Sequence, residues 1–255
     1  MSRFATTVAY YERYRQPYPA AFFRTVAAEL AFTPAKTLID LGTGPGLIAL
    51  GFAPFVGALT AVDPEPAMLA LAREAVARAR RPVRLIEGTA ETLAADLGPF
   101  DIVTIGRALH WMDPAPTRQV LDRLVAPGGA ILICASSTVK GTENPWAEAY
   151  DGIRHRYDDR GTAGHRRVDL PAFFAETRFT VGRRIAVQMR HRPSVEDLVQ
   201  RVLSFSSSSP ALLGDEADAV LAEIRAALLP YSKDGLIEET VEASATVVAE
   251  RHRPF

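Results

Sequence analysis

Short apolar runs alternate with stretches of helical period along most of this chain, the arrangement expected of strands connected by helices. Thr37 to Leu41 is such a run. It passes through Asp40 into Gly42-Thr43-Gly44-Pro45-Gly46, and Leu47, Ile48, Ala49 and Leu50 then open a helix-like stretch. A second run, Ala58 to Asp63, also ends in an acid, and Pro64 and Pro66 restrict the turn into a helix carrying Met68, Leu69, Leu71, Ala72 and Val76. Val83 to Glu87 predicts a third strand leading into the loop Gly88-Thr89-Ala90-Glu91, and Phe100 to Gly106 predicts a fourth. A helix from about Pro116 to Ala126 follows, with Val120, Leu121 and Leu124 apolar. Pro127-Gly128-Gly129 ends it before a fifth strand, Ala130 to Cys134.

The flanks are less regular. Ala20 to Leu30 carries Phe22, Phe23, Val26 and Leu30 at helical spacing, behind an aromatic and charged segment broken by Pro17 and Pro19. Residues 135–178 are polar and turn-rich. Residues 179–191 alternate like a strand, Ser194 begins a helix through Leu203, a helix runs from Asp215 to Leu229, and Thr240 to Glu250 reads as a last strand. The serine run from Ser204 to Ser209 reads either as a loop or as the polar wall of a pocket. The expected architecture is α/β, a Rossmann-like doubly wound seven-stranded sheet with antiparallel sixth and seventh strands and a helical cap.

Composition narrows this picture. A chain of 255 residues, 48% apolar, can bury a sizeable core. Its net charge of −1 carries no global basic field for nucleic acid, and the cluster Arg78, Arg80, Arg81 and Arg84 reads as a solvated helix end. Cys134 is the single cysteine, so no disulfide forms within one chain, and no His, Cys, Asp or Glu spacing suggests a metal. No run of apolar residues is long enough to span a membrane. The expectation is a cytoplasmic monomer or homodimer.

The candidate chemistry sits on the first turn. Gly42, Gly44 and Gly46 permit positive φ and let a ligand approach main-chain N–H groups. A nicotinamide or flavin fingerprint would place its third glycine at position 47, where Leu47 stands, and a phosphate loop would need a lysine after the glycines. Leu38-Ile39-Asp40-Leu41-Gly42-Thr43-Gly44-Pro45-Gly46 instead resembles the first motif of class I S-adenosylmethionine (SAM) methyltransferases. Asp63-Pro64-Glu65-Pro66-Ala67-Met68-Leu69 resembles that family's second motif. Ala108-Leu109-His110-Trp111-Met112-Asp113 is similar to the Ala-x-His-Trp-Phe-Asp signature of trans-aconitate-type and related small-molecule methyltransferases, among which the ubiquinone-biosynthesis enzymes also fall. Tyr11 to Pro19 resembles a leading Tyr-x-x-x-Arg-Pro-x-Tyr-Pro segment, with Gln16 where that pattern has proline. Together the matches cover residues 11 to about 134.

The resemblance implies SAM as cofactor and roles for particular residues. Residues 1–34 would form a lid, and residues 35–255 the catalytic domain with cap insertions at about 135–178 and 194–238. Tyr11, Tyr14 and Arg15 would meet the methionine carboxylate, and Asp40, Gly42, Thr43, Gly44 and Gly46 the amino acid moiety. Asp63 would bind the ribose hydroxyls with Pro64 and Met68 beside it. Thr89, Ala90 and Glu91 would meet the adenine, Thr89 standing where family members often carry aspartate. Arg107 would join the cofactor site or serve the acceptor. Tyr18, His110 and Trp111 would line the substrate site, with His110 as the catalytic candidate. The implied activity is methyl transfer to a small molecule, on an oxygen, carbon or nitrogen that the residues leave open. The alternatives are a SAM-binding protein with a non-methylating role and, further off, a nicotinamide-dependent oxidoreductase. No Asp/Asn/Ser-Pro-Pro-Tyr follows the fourth strand, as an amino-methylating DNA enzyme would require.

Overall fold

The computed structural model describes residues 8–157 and 168–251. Along the chain it forms α1 (Val8–Tyr14), α2 (Ala20–Glu29), β1 (Thr37–Leu41), α3 (Leu47–Phe52), β2 (Ala58–Asp63), α4 (Pro66–Ala79), β3 (Arg84–Glu87) and β4 (Phe100–Gly106). There follow α5 (Pro114–Leu124), β5 (Val125–Thr138), α6 (Ala147–His155), α7 (Leu170–Phe174), β6 (Phe179–His191), α8 (Val195–Arg201), α9 (Pro210–Leu213), α10 (Ala217–Leu228) and β7 (Glu239–Glu250). The strands form a seven-stranded sheet in the order β3-β2-β1-β4-β5-β7-β6. β1 pairs in parallel with β2 on one side and β4 on the other, so the strand order reverses at the end of β1. In such sheets ligands bind beyond the carboxyl ends of the strands at that reversal.

The last two strands are antiparallel, as expected. Arg251 N–H at the end of β7 donates to Arg178 O before β6, and Val139 N–H after β5 donates to Thr240 O at the start of β7. Two expected boundaries move. The helix α5 begins at Pro114 because the Asp113 side chain caps it, accepting from the Ala115 N–H at 3.3 Å. β5 begins at Val125 because Pro127-Gly128-Gly129 does not stop it. The register against β4 shifts between Phe100 and Ile102, and Gly128 takes φ +73° there.

Two compact units divide the chain. One comprises Tyr18–Ala135, Gly164–Val187 and Ala243–Phe255, the other Met1–Pro17, Ser136–Ala163 and Gln188–Glu242. In the first, period-two alternation sends Ile39, Leu41, Val103 and Ile105 to one face of the sheet, where Val120, Leu121 and Leu124 of α5 and Phe173 and Phe174 of α7 pack. Leu38, Ala61, Ile102 and Leu132 point to the other face, against Phe22, Phe23 and Val26 of α2 and Ile48 and Phe52 of α3. These strands are buried on both faces, which is why they read as nearly unbroken apolar runs.

The second unit has its own core, where Trp146 at the N-terminal cap of α6 and Tyr150 and Ile153 within that helix meet Leu198 and Val199 of α8 and Val220, Ile224 and Leu228 of α10. A buried ion pair lies within it. Arg201 grips Glu239 through two parallel bonds, Nη1 to Oε1 at 2.6 Å and Nη2 to Oε2 at 2.8 Å, with the two residues 3% and 1% exposed. Arg201 Nε donates to Tyr14 O, Thr138 Oγ1 donates to Oε1, and His191 Nε2 lies 2.9 Å from Oε2. The serine run forms short 3₁₀ turns in this unit and is buried, with Ser204 and Ser208 donating to the Arg201 and Val202 carbonyls. That segment is neither a solvated loop nor, at those two serines, a free polar wall.

Candidate active site

The turn after β1 is built around its glycines. Gly42, Gly44 and Gly46 take φ of +68°, +56° and +88°. A Cβ on Gly42 would stand 2.4 Å from Ala108 Cβ, so glycine alone lets the segment after β4 close against the turn. At Gly44 the place of a Cβ meets nothing within 4 Å, so the turn opens there to free space. Asp63, buried at the end of β2, locks the turn from the side. Its Oδ2 accepts the Gly44 N–H at 2.7 Å and its Oδ1 the Glu65 N–H at 2.9 Å. Burial pushes its carboxyl above the ordinary value, and those two main-chain bonds partly reverse the shift.

Asp40 lies beneath the turn with both oxygens engaged internally. Thr43 Oγ1 and Thr104 Oγ1 each donate to it at 2.6 Å, and Thr104 is its register partner on β4. The expected cofactor contacts Asp40 and Thr43 are thus bonded to each other beneath the turn. Burial raises the Asp40 carboxyl from 3.8 to about 6, against the two hydroxyl bonds that lower it. A carboxyl that holds its proton more tightly folded than unfolded makes the fold less stable as pH rises through that window. Ionisation between pH ~4 and ~6 withdraws on the order of 3 kcal/mol. Asp40→Asn is expected to gain on wild type by that amount between pH 4 and pH 7 in urea unfolding. A stability difference that stays constant across the window would refute this assignment.

Beyond β3, Thr89 caps a 3₁₀ turn, Ala90–Thr92, through a reciprocal box with Thr92, and Ala90 is buried. Glu91 ties that turn to the start of α5, its Oε1 accepting the Asp113 N–H at 2.9 Å and the Thr117 hydroxyl at 3.3 Å. Burial opposes its charge, but its own main-chain N–H and the Thr89 hydroxyl, followed by these two bonds, hold its carboxyl below the usual value. Pro64 is exposed and Met68 buried at the start of α4.

Beyond β4, Arg107 adopts φ +56°, unusual for a residue with a side chain, and its N–H donates to Cys134 O on β5. Its guanidinium lies 4.8 Å from the centre of the Tyr18 ring. His110 occupies the 3₁₀ turn Leu109–Trp111, with its ring 4.8 Å from that of Trp111. Arg107 and His110 both line a cavity of about 390 Å³, whose other walls come from the end of β4, the segment after it, Ile133 to Ala135 of β5, and Val168 and Leu170. The structure thus brings together the glycine turn with Asp40 and Asp63, and separately Tyr18, Arg107, His110 and Trp111.

Tyr11, Tyr14 and Arg15 belong to the second unit. There the Arg15 guanidinium lies 4.0 Å from the Phe205 ring centre and 5.2 Å from that of Tyr11, and Tyr14 stacks on Tyr10. Residues 1–7 of the expected lid lie outside the described residues. Among the described residues no group of three or more His, Cys, Asp or Glu could hold a metal, and no helix is long and apolar enough to cross a membrane. Sequence reasoning missed Thr104 and the cavity wall on β5. The only signal for Thr104 was a hydroxyl inside an otherwise apolar strand.

Residues 39–133 match the model of the methyltransferase domain family. Over those residues the chain is similar to methyltransferase domains. An uncharacterized methyltransferase of Mycobacterium tuberculosis is 33% identical over 128 residues, 50% of this chain and 49% of that one. A ubiquinone biosynthesis O-methyltransferase of Pseudomonas paraeruginosa is 33% identical over 150 residues, 56% of this chain and 62% of that one. The methyltransferase match thus spans about half to three fifths of the length of these curated relatives. A putative type II methyltransferase from Anaeromyxobacter dehalogenans shares the fold with a TM-score of 0.67 at 22% identity, covering 94% of this chain and 99% of that one. A SAM-dependent methyltransferase from Geobacter sulfurreducens, solved with S-adenosyl-L-homocysteine, shares it with a TM-score of 0.56 at 19% identity, covering 98% and 99%.

Proposed function

We propose that the methyltransferase domain binds SAM above the Gly42–Gly46 turn and transfers its methyl group to a small-molecule acceptor. The observation that carries this is the turn itself, held by Asp63 at Gly44 N–H and open where a Gly44 side chain would stand. SAM bears no phosphate, so its site needs close main-chain approach and carboxylates rather than a lysine, and this turn supplies both. When bound, SAM brings a methyl group already activated on a sulfonium. The protein then has to bind, align an acceptor and exclude water.

In this reading Asp63 takes the ribose hydroxyls. Each of its oxygens accepts one main-chain bond and retains capacity for another. Thr89 and Ala90 stand for the adenine edge. Asp40, Thr43 and Glu91 support the site from beneath through their internal bonds, and Arg107 and His110 face the acceptor. The names of the curated relatives, O-methylation in ubiquinone biosynthesis among them, support methyl transfer, and the near-neutral net charge suits a small acceptor over a nucleic acid.

Asp63→Ala is expected to weaken SAM binding by about 1.5–3 kcal/mol, the range for a hydrogen bond to a charged group. Calorimetry beside a thermal melt measures it, and unchanged affinity in a folded variant would remove Asp63 from the ribose. Activity is tested by incubating the protein with cell extract and methyl-labelled SAM, followed by mass spectrometry. Labelled product with S-adenosylhomocysteine supports the proposal. Tight SAM binding with no transfer would point to a non-methylating role, and NADH retained through purification to an oxidoreductase.

A further inference from the structure

Thr104 is the one hydroxyl on β4, fully buried in a strand whose centre is otherwise apolar, where valine would have nearly the same shape. Its hydroxyl is committed to one partner. Oγ1 donates to Asp40 Oδ1 at 2.6 Å, across the register pair that the two residues form between β4 and β1, while Ile39 O lies 3.5 Å away. The other carboxylate oxygen, Asp40 Oδ2, accepts from Thr43 Oγ1 at 2.6 Å. Thr43 stands inside the glycine turn, its N–H donating to Val62 O and its carbonyl accepting from the Gly46 N–H. A chain of bonds thus runs from β4 through Asp40 into the turn.

That chain transmits a charge state. A carboxylate only accepts, so while Asp40 is ionised both threonines must donate to it. Once protonated it carries an O–H of its own, and one of the two short bonds has to reverse or open. Burial favours that protonated form, and among the groups that oppose it the Thr104 hydroxyl acts most strongly, ahead of Thr43 and the Ala49 N–H from α3. The titratable neighbours do not help the charge. Asp63 at the end of β2 repels it, and Cys134 on β5 stays a neutral thiol, since burial first and then the charge of Asp40 push it well above its ordinary value.

We propose that Thr104 is a positioning residue of the cofactor site: its hydroxyl aims the Asp40 carboxylate at Thr43 and so sets the lower pH limit at which the glycine turn binds SAM. SAM and S-adenosylhomocysteine both carry an ammonium on the amino acid end, so a negative charge beneath the turn favours either ligand. The link to the cofactor rests on the methyltransferase reading, whereas the hold of Thr104 on Asp40 does not. The test titrates S-adenosylhomocysteine into the full chain by calorimetry between pH 5 and pH 8.5, the range that brackets the Asp40 window. Wild-type affinity is expected to fall on the acid side of about pH 6, where Asp40 takes up its proton. Thr104→Val removes the donor and should move that midpoint up by about one to two pH units, the equivalent of one hydrogen bond to a charged group. At pH 7 its affinity should be about 2- to 10-fold below wild type, recovering towards wild type at the alkaline end. Thr104→Ser keeps the donor and should keep the wild-type midpoint. Thr104→Cys, a weak donor of similar size, should fall between them and serves where valine is not tolerated. In Asp40→Asn the dependence across this window should vanish, and adding Thr104→Val should not bring it back. Asp63 is common to all these proteins, so differences between their profiles belong to Asp40.

A loss of the same size at every pH in Thr104→Val would overturn the inference by reducing Thr104 to packing, as would unchanged binding throughout. A serine variant that behaves like valine would overturn it as well. If wild type binds no S-adenosylhomocysteine at any pH, the methyltransferase reading fails instead. Carbon NMR of the Asp40 carboxyl in the unliganded chain then decides the remainder: the titration should move up in Thr104→Val, and equal midpoints would remove Thr104 from the control of Asp40.

Discussion

Glu239→Gln is expected to destabilise the chain by about 3–5 kcal/mol, the range for breaking one partner out of a buried ion pair. The glutamine has nearly the same shape, so packing changes little. The loss lies in what remains: Arg201, 3% exposed, keeps its charge but loses the paired bonds from Nη1 and Nη2 to a carboxylate. Burial alone would push Glu239 up. The bonds from His191, Arg201 and Thr138, with the charge of Arg201, overcome it and hold the carboxyl near 2 instead of 4.5. A group whose folded pKa is depressed stabilises the fold above its unfolded value and ceases to do so as pH falls through the folded one. The advantage of wild type should therefore be complete above pH ~4.5 and shrink towards pH ~2. Urea unfolding of both proteins across that range reads it. A difference below about 1 kcal/mol at neutral pH, the scale of an exposed pair, would show that the pair is solvated. Replacing both partners by apolar residues, Arg201→Met with Glu239→Leu, should recover much of the loss, since the penalty belongs to the orphaned charge.

That pair also marks the limit of what the sequence discloses. Arg201 and Glu239 lie in segments whose composition resembles any polar helix end or strand start, and only the fold brings them together. The strands of the sheet were far easier to read. β2 and β4 stand where their apolar runs predicted, because burial on both faces removes polar residues and proline or glycine punctuates the ends. β5 was read too short because Pro127-Gly128-Gly129 looks like a break, whereas a shifted register absorbs it. At the site, the glycine turn was legible because its demand is on the backbone, and only glycine meets it at Gly42. Side-chain partners were not. Nothing in the sequence sets Thr104 beside Asp40, or Asp113 and Thr117 beside one oxygen of Glu91. An acid next to a glycine turn is visible in a sequence, but the neighbour that occupies it depends on register.

His110→Ala is expected to lower kcat by about 10²–10⁴-fold, the usual contribution of a positioned general base, while SAM affinity stays at the wild-type value. The residue sits in the turn directly after β4, packs its ring against Trp111 and shares the cavity wall with Arg107. An imidazole is the kind of group on that wall that can take a proton near neutral pH. A hydroxyl acceptor would require such a base: methylation of its oxygen by SAM would oblige it to lose its proton, and His110 would be the group to receive it. Steady-state kinetics with the acceptor found by methyl labelling separates this role from its rival. A base is lost equally in His110→Ala and His110→Gln, since the amide cannot accept the proton, and the defect appears in kcat. An anchoring histidine would be largely rescued by glutamine, with the alanine defect confined to acceptor KM. Wild-type kcat and KM in a folded His110→Ala protein would exclude both roles, leaving the alignment of acceptor and cofactor as the source of catalysis.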